Sequence, residues 1–204
     1  MNGSALRVTA IVLAAGNASR FGSQKLLAPL GGRPLLAHAL DALAAAGLRD
    51  VVVVLGADAA AIEASVPWRT ERRVLNPRPQ DGLSSSLRVG LDAAAADPLV
   101  EAVLVVLGDQ PGLRPEVVTT LLATGAVATT PIVRPRYAAD GAPNPVLVRR
   151  SAWALTAGLA GDRGLGPLLA ERAELVTEVA VNGSLPDVDT PADLDAVRAT
   201  GGPA

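Results

Sequence analysis

The sequence predicts an α/β fold with a mostly parallel sheet and an antiparallel excursion in its second half. Continuous apolar runs at Val8–Leu13, Val51–Leu55 and Val103–Leu107 are typical of strands that are covered on both faces. Segments with helical periodicity separate these runs, and this β-α-β order favours parallel strands joined by right-handed crossovers. The 204 residues are enough for a substantial core, and we expect one domain spanning residues 1–204.

The first half of the chain alternates strands with helices. Pro34 begins a predicted helix that runs from about Leu35 to Ala46 and ends at Gly47. Either Ser84 or Ser85 is the expected N-cap of a later helix. The other elements expected here are a helix near Ala59–Ser65, a strand at Val74–Asn76, a helix with Leu87, Leu91 and Ala94 on its buried face, and a helix near Pro115–Ala123.

The second half has a different pattern. Two strands, Ala128–Tyr137 and Pro143–Val148, flank an Asp140-Gly141 turn and predict the antiparallel excursion. Ser151 is the expected N-cap of a helix that ends at about Leu159. The remaining expected elements are a helix at Pro167–Arg172, a strand at Glu178–Val181, and a helix at Ala192–Arg198 with Thr190 as N-cap and Pro191 at its first position.

Composition excludes several classes of function. The net charge is -2 and the pI is near 5.4, so we expect no nucleic-acid surface. The chain has no cysteine, which excludes disulfides, thiolate zinc sites and cysteine nucleophiles and fits a cytoplasmic protein. No apolar run reaches the roughly 18 residues that span a bilayer, and we expect no membrane partner. Arg7 followed by the apolar Val8–Ala15 resembles a signal peptide only loosely, so we expect a buried first strand there.

The loop after the first strand has the spacing Gly16-x3-Arg20-x-Gly22-x2-Lys25. Small residues let backbone N–H groups approach an anion, and Arg20 and Lys25 add positive charge, so the pattern indicates a phosphate-binding loop. It is neither a Walker A loop nor the dinucleotide-binding Gly-x-Gly-x-x-Gly pattern. The alternative is an ordinary turn whose two basic side chains are solvated.

Carboxylates follow the strands further along the chain. Asp109 lies just past Val103–Leu107, where it can reach the same crevice as the first loop and bind Mg²⁺ together with a nucleotide's phosphates. Asp187 and Asp189 form an Asp-x-Asp pair, of which we favour Asp189 as a second metal ligand. The alternatives are an Asp109 that caps a turn and a pair that stabilises the start of the last helix.

Polar residues around the third predicted helix are a further candidate site. Asn76, Gly82, Ser84 and Ser85 could contact the base of a nucleotide, with a capped helix and no ligand as the alternative. His38 is the only histidine, and we expect it to be structural, which makes triad hydrolysis improbable.

Assembled, these segments resemble the MobA-like NTP transferase family and, within it, the molybdenum cofactor cytidylyltransferases (MocA-like). The motifs occur in the family's order and span nearly the whole chain. They are Leu13-Ala14-Ala15-Gly16, Arg20-x-Gly22-x2-Lys25, Gly82-Leu83-Ser84-Ser85-Ser86-Leu87, Gly108-Asp109-Gln110-Pro111, Gly161-Asp162-x-Gly164 and Asp187-Val188-Asp189-Thr190-Pro191.

The resemblance implies a Rossmann-like three-layer α/β/α sandwich that binds an NTP. Arg20 and Lys25 would contact the phosphates, and Asp109 would bind Mg²⁺ with Asp189 as its partner. The first motif is similar to the branch that transfers cytidylyl groups, which favours CTP. The residues expected to bind the nucleotide are Leu13, Ala14, Ala15, Gly16, Arg20, Lys25, Asn76, Gly82, Ser84 and Ser85.

The chain departs from the family pattern in three places. Ala18 and Phe21 replace a common Ser and a usual Met in the first loop. Pro143-Asn144-Pro145-Val146 stands where the family has Gly-His-Pro-Val, a segment on the acceptor side. The resemblance therefore places Asn144 and Pro145 at the acceptor, and Asn144 bears on whether that acceptor is molybdopterin.

The expected function is Mg²⁺-dependent transfer of a nucleoside monophosphate from CTP to molybdopterin, with release of pyrophosphate. Lys25, Arg20 and Asp109 would carry the chemistry, since the acceptor's own phosphate is the nucleophile. A molybdoenzyme or its chaperone would receive the product. The alternatives are transfer from GTP or to a sugar phosphate, and a nucleotide-binding regulator or cofactor-insertion chaperone without turnover.

Overall fold

The computed structural model describes residues 6–16, 21–139 and 143–199. Its elements in chain order are β1 (Val8–Ala14), β2 (Pro29–Leu30), β3 (Arg33–Pro34), α1 (Leu35–Ala45), β4 (Val51–Leu55), α2 (Ala59–Ser65), β5 (Arg72–Leu75), α3 (Leu83–Ala95), β6 (Ala102–Leu107), α4 (Pro115–Val127), β7 (Ile132–Tyr137), β8 (Val146–Arg149), α5 (Gly166–Glu171), β9 (Val176–Val181) and α6 (Pro191–Ala199). Short 3-10 helices lie at Lys25–Leu27, Pro79–Asp81, Arg150–Gly158, Gly161–Arg163 and Ala173–Leu175.

A seven-stranded sheet in the order β5-β4-β1-β6-β8-β7-β9 forms the centre of the fold. Strand β8 runs antiparallel to both β6 and β7, while the other neighbours in the sheet pair in parallel. In register, Ala14 of β1 pairs with Leu55 and Leu13 pairs with Leu107. The carboxyl ends of β4, β1 and β6 therefore meet at one edge. The predicted mostly parallel sheet with an antiparallel excursion is confirmed.

Helices cover both faces of the sheet because the side chains of β1 alternate between them. Ala10 and Val12 pack with α1 and α4 on one face, whereas Ile11 and Leu13 pack with α3 and α5 on the other. Helix α3 lies close to β1 at Gly90, where an added Cβ would come within 2.3 Å of Ile11 Cγ2. This arrangement confirms the three-layer α/β/α sandwich.

The start of α3 differs from the prediction. Its N-cap is Gly82, with φ 88° and ψ -174°, and no side chain caps it, so Ser84 and Ser85 are not N-caps. These backbone angles are accessible essentially only to glycine. The Ser85 hydroxyl donates instead to the carbonyl of Gly82, at 2.7 Å. The serines therefore lie inside the first turn of the helix, with their side chains buried.

Several boundaries in the second half also differ. Helix α4 continues to Val127, so β7 begins at Ile132 and not at Ala128. Strand β8 begins at Val146, because Pro143 and Pro145 have no N–H for a strand ladder. The predicted Asp140-Gly141 turn lies outside the described residues. The predicted helix capped by Ser151 is a 3-10 helix that follows Arg149 without a side-chain cap.

The predicted start of the last helix is confirmed. Asp193 N donates to Thr190 Oγ1 at 3.3 Å, and Asp193 Oδ2 accepts from Thr190 N at 2.7 Å. Asp193 Oδ2 also accepts from Asp189 N at 3.1 Å. The Thr190 hydroxyl donates to Asp193 Oδ2 as well, at 2.9 Å. This bond first, and then the two backbone N–H groups that donate to the same carboxylate, lower the pKa of Asp193. The reciprocal cap therefore holds the backbone at Asp189 against the first turn of α6.

His38 has a structural environment, as expected. It is buried within α1, and its Nε2 lies 2.9 Å from the carbonyl oxygen of Leu30. None of the helices in residues 6–16, 21–139 and 143–199 is long and apolar enough to cross a membrane.

Candidate active site

A cleft of about 600 Å³ opens at the carboxyl ends of β1 and β6. Strand ends at this edge of an open α/β sheet are the usual place for a ligand. The described residues that line it are Leu13, Ala14, Ala15, Gly16, Lys25, Leu26, Pro79, Gln80, Gly82, Leu83, Ser86, Leu107, Asp109, Asp162 and Asp189. The cleft thus brings together residues from the beginning, the middle and the end of the chain.

Lys25 lies between two carboxylates in this cleft. Its Nζ is 2.7 Å from Asp109 Oδ2 and 2.7 Å from Asp189 Oδ1. Burial lowers the pKa of Lys25, but the carboxylates of Asp109 and then Asp189 outweigh that effect and raise the pKa above its ordinary value. The side chain is therefore an ammonium ion at neutral pH.

The backbone around Lys25 is fixed by a short turn. Lys25 is the first residue of the 3-10 helix, and the Gln24 side chain accepts from Leu26 N at 3.2 Å. Gln24 Nε2 in turn donates to Asp58 Oδ2 at 2.6 Å. The ammonium therefore projects from an ordered turn beside the end of β1.

The two carboxylate oxygens of Asp109 have different surroundings. Its Oδ2 contacts Lys25, whereas its Oδ1 is buried and has no hydrogen-bond partner in the described part of the chain. A buried carboxylate oxygen without a donor costs free energy, and within the described residues this oxygen is available to a ligand. Hard oxygen donors of this kind suit Mg²⁺.

The set of acidic donors is small. Residues 6–16, 21–139 and 143–199 contain no group of three or more His, Cys, Asp or Glu side chains that could hold a metal ion. Within the described residues, Asp109 and Asp189 therefore act as a pair of carboxylates, and both contact the Lys25 ammonium. Mg²⁺ is commonly bound by one or two carboxylates together with substrate phosphates and waters, so this pair fits such an ion.

Asp187 faces a different environment from Asp189. Gln110 Nε2 donates to Asp187 Oδ1 at 2.6 Å, and burial, followed by the charge of Asp109, raises the pKa of Asp187. Val188 between them is fully buried, and its N–H donates to the Asp109 carbonyl at 3.0 Å. Asp189 is the member of the pair that lines the cleft.

Asn76 lies behind the wall of the cleft and does not line it. Its Nδ2 donates to Ser85 Oγ at 2.8 Å and to Ser86 Oγ at 3.0 Å, and its Oδ1 accepts from Arg78 N at 3.0 Å. Both amide hydrogens are therefore engaged, and Asn76 is not placed to contact a base. Ser84 and Ser85 are likewise buried and absent from the lining residues that the structure describes.

Sequence reasoning missed the residues that replace them in the wall. Ser86, rather than its two predecessors, lines the cleft, together with Gln80, Leu83 and Asp162. A Cβ on Gly82 would lie 2.5 Å from the carbonyl carbon of Gly161 and 2.6 Å from Asp162 Oδ1. The Gly161-Asp162-x-Gly164 motif was the available signal, but only the fold shows that it packs on the start of α3.

The predicted phosphate loop lies at the cleft in the part that is described. Leu13, Ala14, Ala15 and Gly16 all line it, and a Cβ on Gly16 would meet no described atom within 4 Å. Space beside this backbone is therefore open to a ligand. Arg20 lies outside the described residues.

Asn144 and Pro145 precede β8 at the same sheet edge. Val146, the first residue of β8, pairs with Val105, so the residues before it lie toward the carboxyl end of β6. Tyr137 donates its hydroxyl to the Asn144 carbonyl at 2.8 Å, and the Asn144–Pro145 peptide is cis. Neither residue belongs to the described lining of the cleft.

The chain matches the MobA-like NTP transferase domain over residues 10–176. It is 33% identical over 198 residues to nicotine blue oxidoreductase of Paenarthrobacter nicotinovorans, covering 94% of this chain and 93% of that protein. It is also similar to the solved structure of Rv0371c from Mycobacterium tuberculosis H37Rv, with 32% identity, a TM-score of 0.85, and coverage of 95% of this chain and 98% of that one. Rv0371c in complex with manganese gives 30% identity, a TM-score of 0.80, and coverage of 94% and 97%.

The matched region begins within β1 and ends at the first residue of β9. It contains the first loop, Lys25 and Asp109, and thus one of the two carboxylates of the cleft. The similarity to Rv0371c covers 95% of this chain and so extends the agreement beyond the matched region. The chain therefore belongs to the MobA-like NTP transferase family.

Proposed function

We propose that this protein is an Mg²⁺-dependent nucleotidyltransferase that moves a nucleoside monophosphate from an NTP to a phosphorylated acceptor. CTP is the favoured donor and molybdopterin the favoured acceptor. The observation that carries the proposal is the contact of the Lys25 ammonium with both Asp109 and Asp189 in an open cleft at the carboxyl edge of the sheet. One cation and two carboxylates at this edge suit a polyphosphate and its metal.

The basic side of the cleft would bind the triphosphate. Lys25 is charged at neutral pH, and the backbone from Leu13 to Gly16 lies beside open space. An ammonium and nearby backbone N–H groups favour phosphate oxygens. Arg20 would add a second charge from the same loop.

Asp109 and Asp189 are the residues that would hold Mg²⁺. Asp109 Oδ1, which no described residue contacts through a hydrogen bond, supports this assignment, since a metal would satisfy it. When bound, the ion would neutralise charge on the phosphates during transfer. The manganese complex of the relative Rv0371c also supports use of a divalent metal.

The reaction needs no general base from the protein. An acceptor phosphomonoester has a second pKa of about 6, so it is largely a dianion at neutral pH. One of its oxygens would bond to the α-phosphorus of the NTP as the bond to the bridging oxygen breaks, and pyrophosphate would leave. Lys25 would orient the triphosphate for this displacement, and charge stabilisation would supply most of the catalysis.

The acceptor side of the proposal rests on Asn144 and Pro145. They lie at the same edge of the sheet, where β8 reverses the strand direction. The Tyr137 hydroxyl donates to the backbone carbonyl of Asn144. The side-chain amide of Asn144 is then the group that would contact an acceptor. The preference for molybdopterin comes from the family resemblance. Asn144 replaces the His of the family segment, so the identity of the acceptor is the part of the proposal that the assay tests first.

The test is pyrophosphate release by the purified protein with CTP, GTP or ATP, each with molybdopterin or a sugar phosphate. We expect release with CTP and molybdopterin, dependent on Mg²⁺ and abolished by EDTA. Asp109→Asn should lower the rate by about 100-fold or more, as expected for loss of a group that stabilises transition-state charge. Asp195→Asn is the matched control, since it removes an exposed carboxylate that pairs with Arg198 on α6.

The other outcomes separate the alternatives. Release with GTP, or with a sugar phosphate as acceptor, would replace the favoured substrates and keep the reaction class. Binding of a nucleotide without pyrophosphate release from any pair would support a regulator or a cofactor-insertion chaperone. Full activity of Asp109→Asn would contradict the metal assignment.

A second candidate function comes from the name of one relative. Nicotine blue oxidoreductase is similar to this chain over nearly its full length, which favours a test for reduction. The loop after β1 lacks the dinucleotide-binding pattern of three glycines, so we favour transfer. Oxidation of NADH or NADPH by a quinone-like dye, in the presence of this protein and without pyrophosphate release, would reverse that preference.

A further inference from the structure

Lys25 is the only lysine in the chain. The sequence has 18 lysine and arginine residues together, and all the others are arginine. An arginine presents a broad planar fork that matches one carboxylate, whereas an ammonium is a compact charge with three donors that can lie between two carboxylates. At the single position that keeps lysine, one nitrogen atom contacts two carboxylates, whereas Arg69 reaches Asp41 and Glu71 through separate nitrogens.

The contacts of Lys25 coincide with the donors of the metal site. Asp109 Oδ2 and Asp189 Oδ1 are each 2.7 Å from Nζ. The ammonium therefore occupies the space between the two carboxylates toward which a divalent cation would be attracted. Its side chain is only 12% exposed, so water screens its charge weakly.

The net charge of the site explains why the Lys25 ammonium and a divalent metal ion compete. Two carboxylates and one ammonium leave a net charge of about -1, and Asp109 Oδ1 has no hydrogen-bond partner among the described residues. A divalent ion added to this set would lie close to the ammonium in a partly buried site, where like charges repel strongly. A triphosphate offers the ammonium another anion and removes that repulsion.

We propose that Lys25 serves as an internal counter-ion for Asp109 and Asp189 in the nucleotide-free protein. An NTP draws it away from these carboxylates, so that the divalent metal binds with the nucleotide and not before it. This inference rests on the proposed function for the identity of the nucleotide. It predicts a protein with low affinity for free metal and an ordered, nucleotide-dependent metal site.

The first experiment measures Mn²⁺ binding to the nucleotide-free protein by electron paramagnetic resonance. Lys25→Met keeps the length of the side chain without its charge, and we expect it to bind Mn²⁺ about tenfold or more tightly than the native protein does. Adding Asp189→Asn to Lys25→Met should remove the gain. Arg172→Met is the control, because it makes the same change in charge at an exposed pair with Glu174 and should leave Mn²⁺ affinity unchanged.

The second experiment uses the native protein, so it does not depend on the folding of a variant. Incorporation of ¹⁵N-lysine gives a single side-chain ammonium signal. We expect this signal to shift when Mg²⁺ and CTP, GTP or ATP are added together, and to stay in place when Mg²⁺ is added alone at the same concentration. No acceptor is present, so no transfer occurs during the measurement.

Two results would overturn the inference: equal Mn²⁺ affinity of Lys25→Met and the native protein, or a lysine signal that moves with Mg²⁺ alone. A lysine signal that no nucleotide moves would equally overturn it. Pyrophosphate release is measured separately. A protein that transfers nucleotide without the affinity gain loses only this inference, and one that shows the gain and the shift without transfer loses only the proposed function.

Discussion

Gln110 donates a 2.6 Å hydrogen bond from Nε2 to Oδ1 of Asp187, and so joins the loop after β6 to the segment before α6. Gln110 is only 1% exposed, and the Val188 N–H bonds to the Asp109 carbonyl beside it. Of the two cleft carboxylates, Asp109 directly precedes Gln110, and Asp189 follows Asp187 by two residues. Residues outside the cleft thus set the distance between the groups inside it.

Gln110→Ala is expected to lower the free energy of unfolding by about 1–3 kcal/mol, because the half-buried Asp187 carboxylate loses its donor. Urea denaturation followed by circular dichroism measures this change. Gln80→Ala, an exposed glutamine at the rim of the cleft, is the control and should stay within about 0.5 kcal/mol. Equal stability of the two variants would show that the Gln110–Asp187 hydrogen bond does not stabilise the fold.

Asp187→Asn is expected to stabilise the fold at neutral pH. Burial and the nearby Asp109 charge raise the pKa of Asp187, so the folded state favours the protonated carboxyl group. The stability that this group contributes is present at low pH and is lost as the pH rises through the raised pKa. Asparagine is neutral at every pH and can still accept from Gln110.

The measurement is the thermal midpoint at about pH 7 and at about pH 3, above and below the ordinary aspartate pKa of about 3.9. We expect Asp187→Asn to melt a few degrees higher than the native protein at the higher pH and equally at the lower pH. The exposed Asp195→Asn provides the baseline. A variant that melts lower at both values would mean that the carboxylate of Asp187 is needed in its charged form.

Asp189→Asn and Asp187→Asn should differ in their rates of pyrophosphate release. We expect Asp189→Asn to reduce pyrophosphate release by about 100-fold or more, since Asp189 is the member of the pair that contacts Lys25 in the cleft. Asp187→Asn should retain release within several-fold. Metal-dependent rates at saturating nucleotide measure both, and the reverse order of the two variants would assign the metal to Asp187.

Gly82→Ala is expected to destabilise the protein and to open the wall of the cleft. Gly82 has φ 88°, and a Cβ there would lie 2.5 Å from the Gly161 backbone. The added methyl group must displace the 161–164 loop, which carries Asp162. Gly112→Ala is the control, because its Cβ would make only an ordinary 3.6 Å contact with Leu185.

Thermal melts and limited proteolysis test this prediction. We expect Gly82→Ala to lose about 2 kcal/mol or more and to be cleaved faster within the 161–164 loop. Gly112→Ala should match the native protein in both measurements. Protection of that loop in Gly82→Ala would show that the two segments are not coupled.

Tyr137 is the only tyrosine in the chain, and its phenol should lose its proton at a higher pH than a free tyrosine does. Burial raises its pKa from 10.0 to about 12, although the charge of Arg114 acts in the opposite direction. Between these values the unfolded state has lost its proton while the folded state keeps it, so stability falls as the pH rises from about 10 to about 12. Ultraviolet absorbance of the phenolate measures the midpoint directly.

The control for this titration is the same protein in guanidinium chloride, where the phenol should ionise near its ordinary pKa of about 10. Since the Tyr137 hydroxyl bonds to the Asn144 carbonyl, the late titration also reports that the acceptor-side segment is in place. A midpoint near 10 in the folded protein would indicate that this segment is open to water.

Local patterns in the sequence were sufficient for the core of the fold. The β-branched run Val51–Leu55 is a strand with the predicted bounds, and the Thr190-Pro191 start of the last helix has the predicted cap. Both depend on neighbours in the chain, through continuous burial or a hydrogen bond across one helical turn. The starts of β7 and β8 differ from the prediction, because α4 is longer than expected and the prolines before β8 have no N–H for a strand ladder.

The sequence by itself determined which residue types follow which strands, and hence that Gly16, Lys25, Asp109 and Asp189 gather at one sheet edge. Only the tertiary structure decided what each polar side chain faces. It turned Asn76 and Ser85 inward toward each other and brought Asp162 to the wall. It also placed Lys25 between carboxylates 84 and 164 residues away. The physical reason is that hydrogen bonds and ion pairs across such separations depend on packing of the whole sheet, which no local periodicity encodes.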